Sequence, residues 1–247
     1  SRPTPPTQGC STCYCNFRNR ISGKNRKKKG RDNEDMKYQG IIFDLDGVIC
    51  STDEYHYQAW KTLAEGIGIR GFSRADNARQ RGVSRMESLE ILLEKSPRVY
   101  TPEEKLSLAA RKNGIYRELL ARMTPEDLPE EVDHTLRALR RRGILMAIGS
   151  SSKNTTYILE RIGLGSFFDA VSDGNSISRS KPDPEVFLNA ARLLGLPPSA
   201  CLVVEDAPAG IDAGIAGGFD TAAIGCAVSY GRASYNLFSF SELLKII

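Results

Sequence analysis

The sequence predicts an α/β fold, a Rossmann-like parallel sheet into which an all-helical cap domain is inserted. Three observations carry that prediction. Ile41–Ile49 (Ile-Ile-Phe-Asp-Leu-Asp-Gly-Val-Ile) is a short, β-branched apolar run broken by a glycine, the pattern of a buried strand and its turn. Between Thr52 and Met123 the periodicity is helical and no strand pattern occurs. From Thr124 onward, apolar runs and amphipathic stretches alternate, as crossovers between parallel strands require. A first strand, a helical block and then the remaining strands is the order of a sheet with an insertion after its first strand. The expected division is a core at 36–51 plus 124–247 and a cap at 52–123.

Each element follows from local signals. After the first strand, Thr52 or Asp53 caps a helix carrying Tyr55, Ala59, Trp60 and Leu63, which Gly66 and Gly68 end. Ser84 with Glu87 three residues on is a capping box, and Met86, Leu89 and Leu93 continue its helix at i, i+3, i+7. Thr101-Pro102-Glu103-Glu104 opens a third helix, with proline at its first position, running to about Met123. Val132, Leu136 and Leu139 form a helix face before a strand at Ile144–Ile148. Ile158 and Ile162 lie on the next helix, ahead of a short strand at Ala170-Val171. Asp183-Pro184 caps the helix of Phe187, Ala190, Ala191 and Leu194. Strand Cys201–Val204, helix Pro208–Ala216 and strand Thr221–Ile224 complete five strands. Residues 226–238 read as loop, and Phe240–Ile247 as a last short helix.

Composition limits the function classes. The 247 residues are 40% apolar, enough for a sizeable core. No apolar run approaches the 18 residues of a membrane span, and the first residues lack the apolar stretch of a signal peptide, so a cytoplasmic protein is expected. Residues 1–35 are rich in Pro, Thr, Asn and Lys and poor in aliphatic residues; they are expected to be disordered, an extension ahead of Met36. They hold nine Lys/Arg against three Asp/Glu, a net of +6, so the chain's +4 leaves −2 for the remainder. The basic run Lys24–Arg31 is of a kind that binds nucleic acid or a localisation receptor, but the remainder carries no basic stripe, and nucleic acid is not the expected partner. Cys10, Cys13 and Cys15 fall one ligand short of a structural zinc site. Cys50, Cys201 and Cys226, in or beside core strands, are expected as reduced, buried thiols.

The chemistry gathers at strand ends. Side chains alternate along a strand, so Asp44 and Asp46 leave on one side and Leu45 on the other, and Gly47 permits a sharp turn. Two carboxylates at the end of a buried strand are costly to hold together unless a cation lies between them. The carboxyl ends of strands are where open α/β sheets bind ligands. Glu205-Asp206 ends another strand, and Ser150 ends one ahead of Ser151-Ser152-Lys153-Asn154, whose hydroxyls and N–H groups at a helix start suit an anion. Lys181 precedes Pro182, which favours an extended backbone and a fixed ammonium.

In this order, the Asp-x-Asp-Gly of residues 44–47, Ser150, Lys181-Pro182 and Glu205-Asp206 resemble the motifs of the haloacid dehalogenase superfamily of phosphohydrolases and phosphomutases. Glu54-Tyr55-His56-x-x-Ala59-Trp60 and Gly82-Val83-Ser84-Arg85 narrow the resemblance to its β-phosphoglucomutase family, over roughly residues 36–225. The resemblance implies one Mg²⁺ and an aspartyl phosphate on Asp44, which also ligates the metal. It gives Asp46 a metal contact through its carbonyl and the proton transfers through its side chain, with Glu205 and Asp206 completing the metal site. Ser150 and Lys181 would hold the transferring phosphate, alongside Ser151, Ser152, Lys153 and Asn154. On the cap, His56 would position Asp46, and Trp60 with Gly82, Val83, Ser84, Ser88, Lys112 and Asn113 would face the sugar. Arg85 would clamp the distal phosphate with bidentate donors, and Thr52 would be the hinge. The implied reaction interconverts β-D-glucose 1-phosphate and glucose 6-phosphate through glucose 1,6-bisphosphate, in a monomer acting on a small sugar phosphate away from membranes. A sugar-phosphate phosphatase on the same scaffold is the alternative, since it shares every core residue. The sequence departs from the family pattern at Ser51, where Asp is frequent, at Ser151, where Ala is, and at Ala207, where Ser is.

Overall fold

The computed structural model describes residues 37–247. The Cys10, Cys13 and Cys15 group, the Lys24–Arg31 run and the expected disorder of residues 1–35 lie outside them. After strand β1 (Gly40–Phe43), the chain forms four helices before it meets another strand: α1 (Asp53–Gly66), α2 (Arg74–Ala78), α3 (Arg85–Leu93) and α4 (Pro102–Leu120). It then alternates through α5 (Glu130–Arg141), β2 (Leu145–Gly149), α6 (Thr155–Arg161), β3 (Ala170–Ser172), α7 (Glu185–Leu194), β4 (Cys201–Glu205), α8 (Pro208–Ala216), β5 (Asp220–Ile224), β6 (Tyr235–Leu237) and α9 (Leu243–Ile246).

The six strands form one sheet in the order β3-β2-β1-β4-β5-β6, with every neighbouring pair parallel. From β1 the chain winds out to β3, returns to the other side of β1 and winds out again to β6. The winding direction therefore reverses at the centre, which opens a crevice at the carboxyl ends of the central strands. Alternation along the strands sends Ile41, Phe43, Met146, Ile148, Leu202 and Val204 into one apolar layer, beneath α5, α6 and α9. Ile42, Ala147, Cys201 and Val203 enter the opposite layer, with Val186, Phe187, Ala190 and Ala191 of α7 and Ala213 of α8.

The inserted helices enclose an apolar cluster of their own: Trp60, Leu63 and Ala64 of α1, Ile69 and Phe72 after it, Leu89 and Leu92 of α3, and Ala109 of α4. Two helix starts form as the sequence reading expects. Ser84 with Glu87 and Thr101 with Glu104 are reciprocal capping boxes, and Pro102 opens α4. At α1, Thr52 occupies the N-cap position but makes no capping bond, because its hydroxyl donates to Asp46. At α7 the N-cap residue is Pro184, while Asp183 Oδ1 accepts from the Glu185 N–H at 3.0 Å.

Three expectations are corrected. Residues 226–238 are not all loop, since β6 adds a sixth strand, paired from Ala222↔Tyr235 to Ile224↔Leu237. Its three residues are too few to show a period. Helix α2 was not expected, because Arg-Ala-Asp-Asn-Ala has no apolar repeat. Cys226 is exposed, on the turn after β5, while Cys50 and Cys201 are buried as expected. No helix among the described residues is long and apolar enough to cross a membrane.

Candidate active site

Strand register assembles the floor of the site. Phe43 stands level with Ile148 on one side and Val204 on the other. One residue on, Asp44 leaves the sheet beside Gly149 and Glu205, and its N–H donates to the Val204 carbonyl at 2.9 Å. Asp44, Glu205 and Asp206 each bring a carboxylate oxygen to within 4.8 Å of the others. Lys181 Nζ, buried between two of them, donates to Asp44 Oδ1 at 2.5 Å and to Glu205 Oε1. Burial works against the Lys181 charge, and the Asp44 and Glu205 carboxylates outweigh it and hold the ammonium charged. The Lys181–Pro182 peptide bond is cis.

Two glycines make room for this cluster. Gly47 has φ +86°, and a Cβ there would collide with the Asp206 carboxylate. A Cβ on Gly210, in the first turn of α8, would collide with the Glu205 carboxyl group. The donor set itself asks for a cation. Burial, then the charges of Glu205 and Asp44, push Asp206 up to about 8, and one lysine cannot neutralise three carboxylates. An all-oxygen set of this kind suits a hard divalent ion such as Mg²⁺. Asp46 lies just past this floor, with burial and then the Asp44 charge pushing it up to about 6. A carboxyl poised there can hold or release a proton near neutral pH.

The floor closes one side of a cavity of about 840 Å³ whose other side is the inserted helices. Thr52, His56 and Trp60 line it from α1 and its start, Lys112 from α4, and Gly82, Val83, Ser84, Arg85 and Ser88 from the start of α3. Lys112 Nζ sits 2.9 Å from His56 Nδ1, 4.7 Å from the Trp60 ring centre and 4.3 Å from that of Tyr116. Burial, then Lys112 and Arg85, hold the imidazole well below its usual pKa, which favours a neutral His56. Burial, then Arg85, also pushes Lys112 well down. Neither Arg85 nor Lys112 has a carboxylate partner among the described residues.

Ser150, Ser151, Ser152, Lys153 and Asn154 complete the wall after β2. Here the expectation of free N–H groups is only partly met. The Ser150 and Ser152 hydroxyls accept from the N–H groups of Ser152 and Asn154, each at 3.2 Å, so these donors are spent within the loop. One expected residue lies off the cavity. Asn113 Oδ1 accepts from Asn154 Nδ2 at 2.9 Å, tying α4 to the loop after β2. The wall also holds residues that the sequence reading did not include. Tyr116 lies at i+4 from Lys112, a spacing that marks it in hindsight. Arg81 ion-pairs with Asp53 at 3.1 Å, and neither it nor Gln80 carries a sequence signal, since both follow α2 in an irregular turn.

Comparison with known proteins follows the same lines. The family model of haloacid dehalogenase-like hydrolases matches residues 38–218. β-Phosphoglucomutase from Bacillus subtilis is 44% identical over 177 residues, which cover 71% of this chain and 78% of that protein. Fructose-1-phosphate phosphatase YqaB from Escherichia coli is 32% identical, over 74% of this chain and 95% of that one. A crystal structure of β-phosphoglucomutase from Clostridium difficile superposes with a TM-score of 0.78 at 34% identity, covering 83% of this chain and 93% of that one. By family match, identity and fold alike, the chain belongs to the haloacid dehalogenase-like hydrolases and is an enzyme, with both mutases and phosphatases among its relatives.

Proposed function

We propose that the protein is an Mg²⁺-dependent β-phosphoglucomutase. The observation that carries this reading is the charge division of the cavity. An acidic floor with a single lysine faces a roof that holds two basic side chains, Arg85 and Lys112, without carboxylate partners. A roof of that kind suits a substrate with a second anionic group far from the reacting one. The resemblance to the β-phosphoglucomutases of B. subtilis and C. difficile supports it.

In this reading Asp44, Glu205, Asp206 and the Asp46 carbonyl would hold the ion, which would screen the anionic phosphate from the attacking carboxylate. With Asp44 phosphorylated, the sugar 6-hydroxyl oxygen attacks phosphorus, the bond to the Asp44 carboxylate breaks, and Asp46 takes the hydroxyl proton. The resulting bisphosphate turns over. Asp44 then attacks the 1-phosphate, and Asp46 returns its proton to the departing anomeric oxygen. Lys181, Ser150 and the loop Ser151–Asn154 hold the phosphate being moved, and Arg85 with Lys112 holds the other one. The segment 52–123 acts as a cap hinged at Thr52. Because the Thr52 hydroxyl donates to Asp46, the hinge position and the orientation of the proton carrier are linked.

Sugar-phosphate hydrolysis is the second reading, favoured by the 32% identity to a fructose-1-phosphate phosphatase over nearly all of that protein. One assay separates the two. The full chain is given β-D-glucose 1-phosphate, Mg²⁺ and a trace of glucose 1,6-bisphosphate. Formation of glucose 6-phosphate is the expected result; free phosphate in its place defeats the mutase reading.

A further inference from the structure

Four buried side-chain atoms among the described residues have no hydrogen-bond partner: Gln80 Oε1, Tyr116 OH, Ser151 Oγ and Arg161 Nε. The first three belong to residues that line the one cavity already described. Unpaired polar atoms carry the full cost of desolvation, so a fold tolerates them where something else completes them. Of these atoms, the Gln80 oxygen has the most restricted chemistry.

Gln80 lies on the cap, in the turn between α2 and Ser84, and is 8% exposed. Its backbone N–H donates to the Asn77 carbonyl at 3.0 Å. Its side-chain Nε2 donates to the Ser88 carbonyl at 2.9 Å. A carbonyl can only accept, so this bond fixes which end of the amide is nitrogen and which is oxygen. The oxygen left over can only accept. An anionic phosphate oxygen offers it nothing, and phosphate already has Arg85, Lys112 and the serine loop in the same cavity. The atom is closed to solvent in this structure, and a neutral donor on the body of the substrate would complete it once cap and substrate have packed together.

We propose that Gln80 is a specificity-determining residue that accepts a hydrogen bond from a ring hydroxyl of the sugar phosphate. Arg85 and Lys112 then read the charge of the substrate and Gln80 reads its carbon skeleton. A site built to pair with a hydroxyl rejects the analogue that lacks it, because the buried acceptor is left unpaired. This inference rests on the sugar-phosphate reading above.

The test pairs variants with analogues. Phosphoryl transfer, counted as isomerised sugar plus released phosphate, is measured on β-D-glucose 1-phosphate and on its 2-, 3- and 4-deoxy analogues. The native enzyme is expected to lose about tenfold to a hundredfold in kcat/KM on one of the analogues. Gln80→Leu should show the same loss on the parent sugar and little further loss on that analogue, so that the two deletions are not additive. If Gln80→Leu does not fold, Gln80→Met, of matching length, is read in the same way. Equal losses on every analogue for the native and variant enzymes would make Gln80 only a support for the Ser88 carbonyl and overturn the inference. If the native enzyme transfers no phosphoryl group to or from glucose phosphates, the proposed function falls and takes this inference with it.

Discussion

Lys181 is 1% exposed and has two carboxylates within hydrogen-bond reach, so its ammonium is a structural counter-ion of the acidic floor. Removing one member of a buried ion cluster leaves the others uncompensated, at a cost of about 3–5 kcal/mol. Lys181→Met is therefore expected to lower stability by about that amount in the metal-free protein, read as a fall in the denaturant midpoint. Adding Glu205→Gln to it removes a charge that Lys181→Met strands, and should restore part of the loss. Additive losses in the double variant would mean that Lys181 and Glu205 do not interact across the site. The same cluster shows why single residues were legible in the sequence. Asp44, Asp46, Glu205 and Asp206 each stand at the end of a strand that its own apolar run defines, so position along the chain already gave position in the fold. Gln80 and Arg81 had no such anchor. Their neighbours form a turn with no period, and they line the cavity beside Asp53, to which Asn77 and Arg81 bond.

Among the elements, α2 shows what a short helix without an apolar stripe depends on. Five residues cannot sustain a helix through their own propensity. The end of α2 is held instead by the Ser73–Asp76 capping box, and Lys95 Nζ reaches Asp76 Oδ2 at 2.6 Å. Burial works against the Asp76 carboxylate, but Lys95, the Ser73 hydroxyl and the Ser73 N–H outweigh it and hold the group down to about 2. A carboxyl whose folded pKa lies below its unfolded value of 3.8 stabilises fully above that value and loses the contribution as pH falls toward 2. Asp76→Asn should thus cost about 1–2 kcal/mol at neutral pH, a fall of several degrees in Tm. The gap between variant and parent should narrow as the pH is lowered from about 4. A gap that stays constant down to pH 3 would show that the charge of Asp76 does not support α2. The Ser73…Asp76 spacing was visible in the sequence, yet it reads as a helix start only when an apolar period follows, and none does here. The Ser84 start is followed by Met86, Leu89 and Leu93 at helical spacing, and the Thr101 start by Pro102 at the first helical position, which is why α3 and α4 could be placed in advance.

At the scale of the whole molecule, the cavity is built from two parts that face each other across it. The sheet supplies the carboxylates and Lys181; the inserted helices supply Arg85, Lys112 and His56. That division was readable from the chain's order of elements, whereas the tie between Asn113 and Asn154 was not, because it joins residues 41 positions apart through two side-chain amides. Arg85 is partly buried, and burial draws its pKa down, with no carboxylate to offset that. A phosphate beneath it would supply the missing partner, and the energy of that contact is realised only when cap and core enclose the substrate together. Under the mutase reading, Arg85 serves the phosphate that is not reacting, in both orientations of the sugar. A donor with no distal phosphate never reaches it. Arg85→Ala is accordingly expected to leave the phosphorylation of Asp44 by acetyl phosphate almost intact, followed as phosphoenzyme by mass spectrometry. It should lower turnover of β-D-glucose 1-phosphate by about tenfold to a thousandfold, since a charge-assisted contact is worth about 1.5–3 kcal/mol and misplacement of the sugar adds to that. Asp44→Asn should abolish both reactions, because the nucleophilic carboxylate through which every transfer passes is gone. If Arg85→Ala slows acetyl phosphate as severely as the sugar phosphate, the guanidinium acts on the reacting phosphate itself, and the assignment of the cap to the distal one is wrong.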